Sequence, residues 1–266
     1  MKRQGGAAGE LSQTAEHCSP LAPVLCYGDR VNAGRTARER VRAELTREIA
    51  ETARRQLATE GAAGLSLRAV ARELGMVSSA IYRYFPSRDD LLTALIIDGY
   101  NAVGAAAEEA DRACPRPDHA GRWLATCRAV RAWALAHPHE YALVYGSPVP
   151  GYRAPEQTIG PASRVAAVLG GILSEAHAAG ALGPPGTYPP VPAPLRPDTA
   201  RLRDSVAAGV PDDVIARALT AWAGLFGLLS FELFGQFENV VTDRAAFFDH
   251  AVTCLAGLIG LPAPAP

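Results

Sequence analysis

The chain has 266 residues, a net charge of −1 and 48% hydrophobic residues, which is enough for one or two domains with a sizeable core. Its five cysteines are scattered without a C-x-x-C pair, which argues against a zinc knuckle or a redox motif and indicates reduced thiols in the cytoplasm. We expect no signal peptide, and the most apolar stretch, residues 218–233, is predicted to be too short and interrupted to span a membrane. Sustained alternation of β-branched and aromatic residues is absent, so the sequence predicts an all-α fold.

Charge is distributed unevenly along the chain. Residues 34–90 contain eleven arginines and eight acidic residues, a local net charge of +3, whereas the remainder after residue 90 is acidic. A basic module on an acidic body is typical of a DNA-binding domain joined to another function, although ordinary surface variation is the alternative.

Residues 1–34 lack helical periodicity and contain Gly, Ala and Pro, so we expect a disordered tail. A metal site formed by His17, Cys18 and Cys26 is a weaker interpretation of the same segment. Arginines just before the first helix, Arg38 among them, are suited either to a DNA-contacting arm or to a solvated helix start. That first helix is predicted over residues 38–60, with one apolar stripe that includes Val41 and Leu57.

The stretch Ser66–Leu91 has the pattern of a helix-turn-helix. Ser66 is a favourable N-cap, small Ala71 permits close helix packing, and Gly75 suits the turn. A second helix is predicted over residues 78–85, with Ile81 buried, and Pro86 ends it. A simple helical hairpin shares this apolar spacing, but the polar residues left on the outward face favour a nucleic-acid reader.

Residues 40–92 resemble the DNA-binding domain of the TetR family of bacterial transcriptional regulators. The runs SLRAVARELGM and AIYRYFPSRDDLL carry the resemblance, the second being similar to the family's aliphatic-Tyr-x-Tyr/His-Phe signature. It implies a three-helix helix-turn-helix DNA-binding domain at residues 35–88, followed by a helical ligand-binding and dimerisation domain at residues 89–262. The partners it implies are a double-stranded DNA operator, a second copy of the chain and an unknown small-molecule effector.

The second helix of such a motif enters the major groove, so exposed polar side chains of this module are the expected DNA contacts. Those expected contacts are Arg38, Ser66, Arg68, Ser78, Ser79, Tyr82, Arg83, Tyr84 and Arg88. Arg83 is suited either to guanine or to a phosphate, and Arg88 is expected to pair with a phosphate.

The rest of the chain is predicted to form helices separated by proline-rich breaks. These helices are expected at residues 87–113, 119–137, 161–179, 211–237 and 243–258. The run HPHEYALVYGSPVPGYRAP is expected to be an ordered, non-helical connection, and residues 180–197 a proline-rich loop. The former run also resembles a block in a TetR subgroup with a Trp-His-Gly motif, for which this chain has Trp222-Ala223-Gly224.

Aromatic and apolar residues in the body are candidates for lining an effector pocket, with ordinary core packing as the alternative for each. These candidates are Tyr100, Trp123, Cys127, Trp133, Tyr141, Tyr145 and His177. The helix at 211–237 is apolar on most sides, which favours either a two-fold interface or burial in the monomer. The candidate interface residues are Trp222, Leu225, Leu229, Phe248 and Val252.

The sequence therefore predicts a cytoplasmic, homodimeric repressor that a small molecule releases from a palindromic operator. No catalytic constellation, cofactor motif or metal-ligand spacing is apparent, so we expect no enzyme activity, cofactor, metal or membrane partner. Two alternatives remain: a small-molecule-binding protein or enzyme with a vestigial helix-turn-helix, and a ligand-independent activator.

Overall fold

The computed structural model describes residues 27–183 and 188–262, with side chains from Thr36 onward. The segment around His17, Cys18 and Cys26 lies outside the described residues. Within the described ranges the chain is helical without strands, so the all-α prediction is confirmed. The helices are α1 (Tyr27–Gly64), α2 (Leu67–Glu73), α3 (Ser78–Ile81), α4 (Arg88–Ala113), α5 (His119–Ala136), α6 (Pro138–Tyr145), α7 (Ile159–Ala178), α8 (Arg196–Val206), α9 (Asp212–Leu233) and α10 (Arg244–Leu258).

The chain divides into two units, residues 1–44 and 45–266. In the first unit, α1 begins at Tyr27, earlier than predicted, so the predicted tail boundary at residue 34 falls inside a helix. Val41 was predicted to be part of a buried stripe but is 56% exposed.

In the second unit, the end of α1 packs with α2 and α3 around an apolar core. Ala71 and Ile81 are fully buried in this core. This is expected of a helix-turn-helix, in which small Ala71 lets the two helices approach closely and Ile81 fills the space between them. The turn between α2 and α3 passes through Gly75, whose φ of 65° is one that residues with a Cβ rarely adopt. We call this region, residues 45–87, the head.

Both short helices of the head lack side-chain caps. Ser66 has the extended backbone of an N-cap, but its hydroxyl accepts no bond from α2, contrary to the prediction. Val77 precedes α3 and has no side-chain oxygen to offer. The α-helical part of the second helix is therefore only Ser78–Ile81, and residues 82–84 continue it as a turn rather than as helix to Phe85.

The body begins with α4, which Ser87 caps by accepting a hydrogen bond from the Asp90 backbone. Helix α5 lies at its centre and packs against α4, α7, α9 and α10. Arg131 on α5 forms a bidentate ion pair with Glu232 on α9, in which its Nε and Nη2 atoms donate to the two carboxylate oxygens at 2.8 and 2.6 Å. The body core is thus organised around one central helix.

The body differs from the sequence prediction in three places. Residues Pro138–Tyr145 form helix α6, because proline is tolerated at the first helical position. Helix α8 follows the proline-rich loop and was not expected. Helix α9 is 22 residues long and, by length and composition alone, apolar enough to cross a membrane; in the structure it packs against α5, α8 and α10.

Candidate nucleic-acid interface and regulatory body

The α2–α3 region of the head presents polar side chains to solvent. Ser78, Ser79, Tyr82 and Arg83 are all exposed on α3 and the turn that follows it, while Ile81 on the same helix is buried. Arg68 is exposed near the start of α2. Hydroxyls and guanidinium groups beside one another on a short helix can donate to base edges and to phosphate oxygens.

Arg88 does not belong to this exposed set. Its guanidinium donates to the backbone carbonyls of Ala62 at 2.7 Å, Leu65 at 3.1 Å and Ala63 at 3.3 Å. These carbonyls lie where α1 ends and the chain turns into α2, and helix-terminal carbonyls lack intrahelical partners. These bonds clamp the end of α1 to the start of α4, and the phosphate contact of Arg88 stays a prediction.

The remaining predicted contacts differ in exposure. Ser66 is half-buried, and its backbone N–H donates to the Gln56 side chain at 3.4 Å. Tyr84 is half-buried and packs against the head core. Arg38 is exposed on α1 in the first unit, and its role stays a prediction.

A contact between the head and the body involves Arg54 on α1. Its guanidinium bonds Asp98 on α4 at 2.7 Å and lies 3.6 Å from Glu140 on α6. One side chain of the head thus contacts carboxylates on both α4 and α6.

An apolar cavity of about 160 Å³ lies in the body between α5, α7, α8 and α9. Its walls include Trp123, Leu173, Leu202, Ile215 and Trp222. Among the described residues, none that line it carries a charge, a hydroxyl or a carboxamide. The indole N–H of Trp123 donates to the Val252 carbonyl at 2.9 Å and so is already satisfied.

Only one of the seven predicted pocket residues, Trp123, lines this cavity. Tyr100 lines a separate hollow of about 610 Å³ beside residues 146–149. Cys127, Trp133 and Tyr141 are core residues, and His177 is exposed, so none of these four lines either space. The predicted residues all lie in the body, as expected, but they do not line one shared pocket.

Tyr145 lies in the aromatic cluster next to the cavity. Its ring centroid is 4.2 Å from that of Phe226, which is in turn 4.6 Å from that of Trp222. Burial raises the pKa of the Tyr145 hydroxyl above its ordinary range, and that oxygen has no hydrogen-bond partner in the described structure. Burial likewise raises the pKa of the Cys127 thiol and keeps it protonated.

A buried arginine ties three helices together at the far end of the body. Arg122 on α5 is 1% exposed and donates to Asp111 on α4 and to Glu175 on α7, both at 2.7 Å. Burial by itself raises the pKa of both carboxyls, but the bonds from Arg122 and Arg116 hold each pKa below its ordinary value. The cluster therefore holds α4, α5 and α7 together by charged hydrogen bonds.

The residues predicted for a dimer interface are occupied within one chain. Leu225, Leu229, Phe248 and Val252 are at most 2% exposed because they fill the core between α5, α9 and α10, so the prediction was wrong for these four. Trp222 is half-buried and lines the cavity.

A different apolar surface lies on the outer side of α9 and α10. Phe231 is 53% exposed and Phe247 36% exposed, and both rings pack edge-on against Phe237. The exposed small residues Ala223 and Cys254 lie on the same two helices. We call Ala223, Phe231, Phe237, Phe247 and Cys254 the outer face. The sequence carries a signal for the outer face, since its residues are offset from the buried stripe along the helices. Only the exposure of each side chain in the structure, however, distinguishes the outer face from the buried stripe.

Two family descriptions match the chain. The one described as "Bacterial regulatory proteins, tetR family" matches residues 49–95, which cover most of the head and the start of α4. The one described as "Tetracyclin repressor-like, C-terminal domain" matches residues 123–255.

Relatives and solved structures agree with these matches. The HTH-type transcriptional regulator Rv1816 of Mycobacterium tuberculosis is 41% identical over 242 residues, covering 88% of this chain and 99% of the relative. The crystal structure of the putative regulatory protein SCO4313 is 37% identical and superposes with a TM-score of 0.67, covering 82% of this chain and 98% of the other. A protein of unknown function from Rhodococcus sp. RHA1 is 28% identical, with a TM-score of 0.59 and coverage of 81% and 93%.

Proposed function

This chain belongs to the TetR family of bacterial transcriptional regulators, and from that premise we propose that it acts as a homodimeric repressor. It is a DNA-binding transcriptional regulator. In the proposed cycle, two heads bind a palindromic operator in the cytoplasm, and a small molecule bound in the body releases them. The observation that carries the proposal is the exposed polar surface of Ser78, Ser79, Tyr82 and Arg83 on a helix-turn-helix.

For the head, we assign base contacts to Ser78, Ser79 and Arg83 and phosphate contacts to Tyr82 and Arg68. A guanidinium can bind the O6 and N7 atoms of guanine with two hydrogen bonds, and a hydroxyl can donate to a phosphate. Arg83 lies in the turn after α3 and is exposed, which supports its assignment to the groove.

For the dimer, we assign the two-fold contact to the outer face. A two-fold interface uses the same patch on both subunits, and aromatic residues beside small ones allow helices of two copies to interdigitate. Phe231 and Phe247 support this assignment, since they are exposed and form one contiguous apolar patch through Phe237, and such patches mark interaction sites.

A mobility-shift assay with DNA from upstream of the protein's own coding sequence, at two salt concentrations, tests the regulator. We expect sequence-preferring binding that weakens with salt, because each neutralised phosphate releases counterions. Failure to prefer any sequence at low salt would refute the proposal. Turnover of a small molecule by a protein without DNA affinity would favour the enzyme alternative.

Replacing Arg83 by Ala tests the base assignment. We expect a loss of about 1–3 kcal/mol on operator DNA and little change on random DNA. Arg72→Ala is the matched control, since Arg72 is also an exposed arginine of the head but lies on α2. An equal loss on both DNAs would make Arg83 a phosphate contact instead.

A further inference from the structure

The apolar cavity of the body is the feature that carries a further inference. We propose that it is the effector site and that it takes a small, uncharged, apolar molecule of about one aromatic ring. This rests on the proposed ligand-released function and adds the chemical class of the ligand, its place in the fold and the route by which occupancy reaches the head.

Size supports this class of ligand. The cavity is partly open to solvent and has a volume of about 160 Å³, close to the roughly 150 Å³ of an enclosed apolar protein cavity that binds benzene. Interiors are otherwise close-packed, so a space of this size leaves its walls without contact partners, which an apolar ligand would supply.

The chemistry of the walls excludes charged ligands. The side chains of Leu173, Leu202 and Ile215 offer only hydrocarbon, and the Trp123 indole N–H is engaged with a backbone carbonyl. A carboxylate or ammonium placed there loses its hydration and gains no partner in exchange. Ring faces of Trp123 and Trp222, by contrast, favour contact with another aromatic ring.

The construction of the walls also indicates that the space is held open by the fold. Helices α7 and α8 approach closely at Gly170, where an added Cβ would lie 2.1 Å from the Val206 carbonyl oxygen. Arg203 on α8 is ion-paired with Asp212 at the start of α9. Helix α8 is thereby fixed to both neighbours, and its Leu202 covers the cavity.

Aromatic contacts connect the cavity to the head. Trp222 in the cavity wall packs on Phe226, and Phe226 packs on Tyr145 of α6. The same helix α6 carries Glu140, 3.6 Å from Arg54 of the head. A ligand that displaces Trp222 therefore acts on a continuous set of packed groups that ends at a charge contact with α1.

Tryptophan fluorescence gives a direct test with the full-length protein. Two of its three tryptophans, Trp123 and Trp222, line the cavity, and bromine quenches a neighbouring indole. We expect bromobenzene to quench saturably, with one site per chain by calorimetry. The matched probe 4-bromobenzoate should bind at least roughly 100-fold more weakly, because its carboxylate finds no partner.

A neighbouring pair of alanines supplies the variant and its control. Ala166 lines the cavity and Ala167, the next residue on α7, is exposed. Ala166→Phe should fill the space and weaken bromobenzene binding at least tenfold, and Ala167→Phe should leave it unchanged. A second variant, Leu202→Ala, should enlarge the space and shift preference toward 1-bromonaphthalene.

The regulatory part is tested by adding bromobenzene to the protein–operator complex. We expect release from DNA with wild type and Ala167→Phe but not with Ala166→Phe. Absence of saturable quenching, equal binding of the benzoate, or equal behaviour of the two alanine variants would overturn the assignment, as would saturable binding without any change in DNA affinity. A protein that binds no DNA would count against the repressor, while the quenching experiment would still decide the cavity.

Discussion

Arg88 has two possible roles, a contact to a DNA phosphate and a clamp within the protein. Replacing Arg88 by Ala distinguishes the two roles, because they predict different changes in stability and in DNA affinity. In the structure its guanidinium donates to three backbone carbonyls at the junction of α1 and α2. Arg88→Ala removes these donors and leaves the carbonyls of Ala62 and Leu65 without that partner.

The size of the effect follows from the geometry. Two of the three bonds are 3.1 Å or shorter, and a bond to a charged donor contributes about 1.5–3 kcal/mol. The Arg88 side chain is 31% exposed, so water replaces part of this interaction. We therefore expect Arg88→Ala to lower the free energy of unfolding by about 2–3 kcal/mol.

Urea denaturation monitored by circular dichroism measures this free energy, and operator affinity across a salt series measures phosphate contacts. A clamp predicts lower stability with an unchanged slope of affinity against salt. Arg83→Ala is the comparison, because an exposed side chain at the DNA surface should alter affinity with little effect on unfolding.

The opposite pattern would refute the clamp. If Arg88→Ala unfolds within about 0.5 kcal/mol of wild type and the slope of log affinity against log salt falls by about one, Arg88 contacts a phosphate. Arg88→Lys adds a second discriminator: one ammonium cannot reach all three carbonyls, so a clamp is only partly restored, whereas a phosphate contact is largely kept.

Three further predictions concern the body. Iodoacetamide should modify partly exposed Cys114, at the end of α4, more readily than Cys127, which should react only on unfolding because burial raises the pKa of its thiol; peptide mass spectrometry reads this out, and equal labelling would contradict the burial. Arg122→Met should lower the free energy of unfolding by about 1.5–3 kcal/mol, because it removes a buried charged donor to Asp111 and Glu175 while Arg116 stays bonded to both. The pKa of Glu175 is lowered in the folded state, so its stabilisation is present above its unfolded pKa of about 4.3 and is lost as pH falls through the folded value. Acid titration of stability should consequently be flatter in Arg122→Met, and an unchanged acid profile would show that this pair is not responsible. Phe231→Asp should convert the dimer to a monomer in analytical ultracentrifugation, with Ile159→Asp, another exposed apolar position, as the control that should not; a dimer in both would move the interface elsewhere.

The sequence by itself determined the all-α class of the fold and the helix-turn-helix of the head. Apolar spacing at Val70, Ala71 and Ile81, with glycine at the turn, is local information, because helix periodicity and turn geometry depend on residues only a few positions apart. The exposed positions Ser78, Ser79, Tyr82 and Arg83 followed from the same periodicity. For this reason the family resemblance and the head agree closely with the structure.

Tertiary structure decided which partner each remaining residue meets. Arg88 looks like any exposed arginine in the sequence, and only folding brings it to carbonyls more than twenty residues away. Leu225 and Phe231 are both apolar residues of α9, but packing against α5 and α10 buries the first and leaves the second outside. The cavity combines side chains from four helices distant in sequence, and an empty volume between them leaves no pattern along a single chain. Local periodicity therefore specifies helices and their faces, whereas long-range packing specifies the contacts of Arg88, the exposed outer face and the apolar cavity.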